Sequence, residues 1–93
     1  MGVGVLTLEI LFPYARSLKD KRQALQGFKD RVRGRHNVSL AEVEFQDKWQ
    51  RARLGVAAVN NSRTAVEELL ARVLREAEET TGGTVVEHRV ELY

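Results

Sequence analysis

Ninety-three residues, 43% of them apolar and 30% charged, make one domain (1–93) with a modest core and the composition of a soluble globular protein. The absence of cysteine excludes disulfides, thiolate metal sites and a cysteine nucleophile, and fits a reducing, cytoplasmic setting. The net charge of +2 hides a division: residues 14–36 carry eight Lys/Arg against two Asp, or +6, whereas residues 61–93 carry four Arg against seven Glu, or −3.

The first residues lack a basic leader segment and run straight into an alternating pattern, which speaks against a signal peptide, and no apolar run reaches membrane-spanning length. Residues 4–12 alternate Leu6, Leu8, Ile10 and Phe12 against Val5, Thr7, Glu9 and Leu11, the period of a strand. Pro13 ends it because proline cannot donate to a ladder. Ser17 offers an N-cap, with Asp20 three residues on, for a helix whose Leu18, Leu25, Phe28 and Val32 share one stripe with Ala24 at its edge. Gly34 and Asn37 supply the expected stop. Gly27 lies opposite the stripe, where glycine costs about 1 kcal/mol relative to alanine.

Two strands follow at 38–45 and 49–60, joined by a short connection around Gln46, Asp47 and Lys48. The second has Ala52, Leu54, Val56 and Ala58 on one face and Arg51, Arg53, Gly55, Ala57 and Val59 on the other. Asn60, Asn61 and Ser62 are capping residues for a second helix, in which Val66, Leu69, Leu70, Val73, Leu74 and Ala77 keep helical spacing. Residues 80–83 break it, and 84–93 form a last strand with Val86, His88, Val90 and Leu92 on one face. Strand, helix, strand, strand, helix, strand predicts an α+β ferredoxin-like sandwich, with a four-stranded antiparallel sheet and both helices on one face. The other face is left to water or a partner.

At about 100° per residue, Arg22, Lys29 and Arg33 fall in a narrow arc beside the apolar stripe, with Lys19 and Gln26 next to them. Arg31 and Arg35 border the other flank, and Arg16 and Lys21 add charge near the start. A row of cations of this length suits a phosphate backbone; the plainer reading is a solvated face whose side chains lie over the core edge. Lys19, Lys21, Arg22, Lys29, Arg31, Arg33 and Arg35 are therefore the candidate nucleic-acid contacts.

RNA-recognition domains of this topology stack bases on aromatics in their central strands. Here the outward positions hold Val5, Thr7, Glu9, Arg51, Arg53, Gly55 and Ala57, so any RNA contact is to backbone and shape. Trp49, among Gln46, Asp47, Gln50, Arg51 and Arg53, forms the densest mixed cluster and the candidate partner contact. By parity its ring belongs on the open sheet face under the arginines; as an anchor it would simply bury its own flank of the hairpin.

The catalytic inventory is thin. His36 ends a helix and His88 lies on the apolar face of the last strand as an expected core residue. Of Ser17, Ser39 and Ser62, two read as caps and none sits in a nucleophile elbow. Glu42, Glu44 and Asp47 read as edge-strand solubility devices, and no metal or cofactor is expected. An acylphosphatase-like hydrolase would need a glycine-rich loop after the first strand, where residues 13–17 supply Arg16 without glycines.

Two stretches, residues 17–22 (SLKDKR) and 41–59 (AEVEFQDKWQRARLGVAAV), resemble the YlxP-like family of small bacterial proteins, and the similarity extends over essentially the whole chain. The resemblance implies a ferredoxin-like fold and a domain of unknown function, whose genes are found beside those for transcription elongation, translation initiation and ribosome maturation factors. It implies no catalytic residues. Lys19, Lys21, Arg22, Gln46, Asp47, Trp49, Gln50 and Arg51 carry over only as motif positions.

The expectation is thus a non-catalytic RNA- or ribosome-associated factor, with ribosomal RNA or a ribosomal subunit as partner. The alternative is a homo-oligomeric or small-ligand module that dimerises through the open sheet, which carries Val5, Leu11, Ala57 and Val59, or through an edge strand. Eleven arginines against four lysines, with helical Glu/Arg pairs, suit a heat-stable protein.

Overall fold

Six elements follow one another in the anticipated order: β1 (Gly2–Leu11), α1 (Leu18–Arg35), β2 (Ser39–Glu44), β3 (Arg51–Asn60), α2 (Arg63–Thr80) and β4 (Thr84–Leu92). They come from a computed structural model that describes all residues from Met1 to Tyr93. The strands form one antiparallel sheet in the order β2-β3-β1-β4, so the fold is ferredoxin-like, with β1 and β3 central.

Alternation drives the layering. Leu6, Leu8 and Ile10 of β1 and Ala52, Leu54, Val56 and Ala58 of β3 point to one face, where Leu25, Phe28 and Val32 of α1 and Val66, Leu70, Val73 and Ala77 of α2 close the core. Each large side chain so buried contributes about 1.5–3 kcal/mol. Gly4 lets α2 approach β1: a Cβ there would lie 2.6 Å from Val66 Cγ1 and 2.9 Å from Leu70 Cδ1.

Both helices begin on serine caps. The Ser17 hydroxyl accepts from the Asp20 amide and that of Ser62 from the Ala65 amide, while the Asp20 carboxylate accepts from the Arg16 amide. Several boundaries differ from expectation. Helix α1 runs through Gly34 to Arg35 and is capped by His36 in extended conformation. Strand β1 begins at Gly2 and ends at Leu11. Strand β2 stops at Glu44 because Phe45 has φ +66°, a left-handed conformation that no strand continues. Strand β3 starts at Arg51, so the connection runs over residues 45–50.

His88 is corrected outright. It stands opposite Leu8 on the helix side of the sheet, as parity requires, yet it is exposed and has no hydrogen-bond partner in the fold. β4 is an edge strand that α2 covers only sparsely: Val85 and Leu92 pack against the core, and the residues between them, His88 included, stay open to solvent. No helix is long and apolar enough to cross a membrane.

Candidate nucleic-acid interface

Helix α1 divides its cations among three environments. Lys19, Arg22 and Arg31 are exposed, Lys29 is half-buried, and none of the four has an acidic group within 4 Å. Arg33 also lacks an acidic partner, but its Nη2 donates to the Leu40 carbonyl at 2.9 Å, which ties that flank of α1 to β2. Arg35 Nη1 lies 3.6 Å from Glu76 Oε1, which ties the opposite flank to α2. The row Arg22, Lys29, Arg33 therefore runs beside the β2 edge, with Arg35 on the opposite flank.

Lys21 leaves the surface altogether. It is 1% exposed, and its Nζ donates to Glu42 Oε2 at 2.9 Å, the Phe45 carbonyl at 2.7 Å and the Arg51 carbonyl at 3.2 Å. Three donors meet three acceptors, the condition under which a buried ammonium is tolerable. Its assignment as a nucleic-acid contact is wrong. The signal was present: Leu18, Lys21, Leu25, Phe28 and Val32 keep the spacing of the apolar stripe, with Lys21 in a core position.

The anchored carbonyls bracket the β2–β3 connection, Phe45 at its start and Arg51 as the first residue of β3. Lys48 donates its amide to the Phe45 carbonyl at 3.0 Å, closing a turn, and Gln50 Nε2 reaches the carbonyls of Pro13 and Ala15 at 3.2 Å each. Gln46 Nε2 donates to the Glu42 carbonyl. Trp49 is 53% exposed beside Asp47, Lys48, Gln50 and Arg51. The aromatic partner of the arginines is Phe45, not Trp49: the Arg51 guanidinium sits 4.1 Å and that of Arg53 6.0 Å from the Phe45 ring centroid. Trp49 precedes the first residue of β3, so strand parity does not reach it.

On the open sheet face the dominant group is one that sequence reasoning passed over. Glu9 is only 6% exposed, and its carboxylate accepts from Arg51 Nε and Arg53 Nη2 at 2.8 Å each. Those two hydrogen bonds, Arg51 first, hold its pKa below the usual carboxylate value against the opposing effect of burial. Arg53, directly opposite Glu9 in the ladder, is raised in turn by its bond to Glu9 and also lies 3.9 Å from Glu87 and 4.0 Å from Glu44. Arg51 and Arg53 thus satisfy an internal carboxylate and are not free cations. A hollow of about 260 Å³ over Thr7, Glu9, Glu44, Arg53 and Glu87 carries both signs of charge.

No three His, Asp or Glu side chains gather in metal-holding geometry, and His36 Nε2 is bonded to Glu76 Oε1 at 3.1 Å. In the β1–α1 connection the amides of Ala15 and Arg16 are already committed to the Phe12 carbonyl and the Asp20 carboxylate, so neither is available to a phosphoryl group.

Residues 3–90 match the model of a family described as a protein of unknown function, DUF503. An uncharacterised protein of Bacillus subtilis (strain 168), YlxP, is 43% identical over 72 residues, covering 77% of this chain and 78% of that one. Among solved structures, a C-terminal segment of the alpha subunit of aIF2 from Pyrococcus abyssi superposes with a TM-score of 0.54 at 18% identity. This chain is covered over 99% of its length and spans about half (48%) of that one. The likeness is one of fold.

Proposed function

Because the chain belongs to the DUF503 family of proteins of unknown function, we propose an activity from its surface alone: α1 binds the phosphate backbone of RNA, ribosomal RNA foremost. The observation that carries it is that five of the eight Lys/Arg in residues 14–36 lie on α1 without an acidic partner, although the chain holds thirteen Asp and Glu. Lys19, Arg22, Lys29 and Arg33 extend along one flank for about 21 Å at the helical rise, room for several phosphates. Neither the open sheet, with its arginines neutralised, nor the β1–α1 connection offers a comparable anion surface.

The test is binding to small ribosomal subunits and naked ribosomal RNA across a salt series, beside a Lys19→Glu, Arg22→Glu, Lys29→Glu variant. Arg33 is left intact because it holds the Leu40 carbonyl. Every phosphate that is no longer neutralised flattens the log–log salt slope by about 0.7–0.9, so the triple variant falls by about two to three units and at least 100-fold in affinity at moderate salt. A variant that binds as the parent does would refute the reading.

A further inference from the structure

The sheet has two edges, and the fold treats them differently. On β2, the carbonyls of Leu40 and Glu42 are taken by the side chains of Arg33 and Gln46. That strand is also short, with its register broken between Glu42 and Glu44. Capped, short and bulged, β2 is protected in the ways that discourage strand addition. On β4 no side chain reaches any backbone amide or carbonyl over its nine residues, so its outer row of donors and acceptors faces solvent. Beside that row, Val86 and Val90 are 49% and 43% exposed, and the exposed His88 lies between them.

We propose that β4 is the contact edge of a homodimer, in which the strands of two copies pair antiparallel into one eight-stranded sheet. The occupant is identified by the order of charges along the strand. A twofold axis normal to the sheet sets residue i opposite residue j with a constant even sum, since only even sums keep each side chain on its own face. An axis at Glu87 or at Arg89 opposes like charges. An axis at Val90 sets Arg89 opposite Glu91 of the partner subunit, twice, with Val90 against Val90 and His88 against Leu92. Within one chain Arg89 Nη2 already donates to Glu91 Oε1 at 2.8 Å, so the two pairs merge into an alternating four-charge row. An axis at His88 also opposes unlike charges (Glu87 with Arg89) but brings Val86, the extra residue of the β4 bulge between Val85 and Glu87, into the ladder. Pairing about Val90 uses only the stretch of β4 beyond that bulge, His88 to Leu92.

This contact is independent of the RNA reading, because α1 packs toward β2 and the dimer axis lies at the far edge of the sheet. The experiment is sedimentation velocity of the full chain at about 100 µM, with two variants and a crosslink. The parent is expected at twice its 10.5 kDa mass, Arg89→Glu at the monomer mass, and the swapped pair Arg89→Glu, Glu91→Arg again at the dimer mass. Arg89 is an exposed side chain, so the single reversal leaves the core untouched. In a chain without cysteine, Val90→Cys forms a disulfide dimer across the axis under mild oxidation, whereas His88→Cys forms none. A monomeric parent, a dimer indifferent to Arg89→Glu, or crosslinking through His88→Cys instead would each overturn the arrangement.

Discussion

Glu9 and Lys21 are the two charged side chains that the fold withdraws almost wholly from water, one on each side of the sheet. Each is bound by partners distant in sequence. Glu9 meets Arg51 and Arg53 across the central ladder, and Lys21 joins α1 to β2 and to both ends of the β2–β3 connection. The Lys21 anchor accounts for Phe45: a bulky residue at positive φ costs about 1–3 kcal/mol, and here its carbonyl is held by the Lys21 ammonium and the Lys48 amide while its ring is covered by Arg51. For Glu9 the consequence is pH dependence. Its pKa is lower folded than unfolded, so the unfolded chain binds the proton more readily. The stabilisation is complete above the ordinary carboxylate value of about 4.3 and is lost as pH falls from there through the folded value. Urea midpoints from pH 6 down to pH 3 should decline less steeply for Glu9→Gln than for the parent, with the variant the less stable at pH 6. Parallel curves would mean that the Arg51 and Arg53 bonds carry no net stabilisation.

At the scale of elements, glycines separate what packing requires from what helix propensity regrets. Gly4 lies where α2 crosses β1, and any side chain there meets Val66 and Leu70. Gly27, on the outer face of α1, has open space where a methyl group would stand, with nothing within 4 Å, so no contact explains it. Gly27→Ala is expected to raise stability by about 0.5–1 kcal/mol and Tm by a few degrees, while Gly4→Ala lowers stability by about 1–3 kcal/mol. Thermal melts of the two variants check both signs, and a destabilised Gly27→Ala would show that the exposed face of α1 is constrained by something outside the monomer. The elements also show what the sequence made legible. Strict alternation in β1 and β3 and the faultless stripe of α2 placed the sheet, the helices and most of the core. Phe45 did not announce itself, because its backbone conformation is imposed by Lys21 and a turn and not by its own preference. His88 misled because alternation reports the face of a sheet, whereas burial depends on how fully a helix covers each position, and α2 meets the ends of β4 at Val85 and Leu92 and not its middle.

On the scale of the whole molecule, charge separation survives folding in altered form. The +6 segment becomes a helix with one cation in the core, one tied to α2, one spent on a carbonyl and the remainder without an acidic partner. Counting charges along the chain singled out α1 as the basic element. It could not tell Lys21 from Lys19, since the acceptors that draw Lys21 inward lie 21 to 30 residues away. The arginines of β3 were likewise assigned to a partner when their partner is Glu9 of the neighbouring strand.

Lys21 also gives the protein an internal reporter. Of its five primary amines, four (the N-terminus, Lys19, Lys29 and Lys48) are reachable by an acylating reagent in the folded state, and Lys21 is enclosed. Its acylation therefore waits on opening of the seam between α1 and the β2–β3 connection. A mass-spectrometric time course should show four fast additions and a fifth whose rate rises with urea in step with global unfolding. If Lys21 reacts as quickly as Lys19, the seam opens on its own, well below the cost of unfolding the domain.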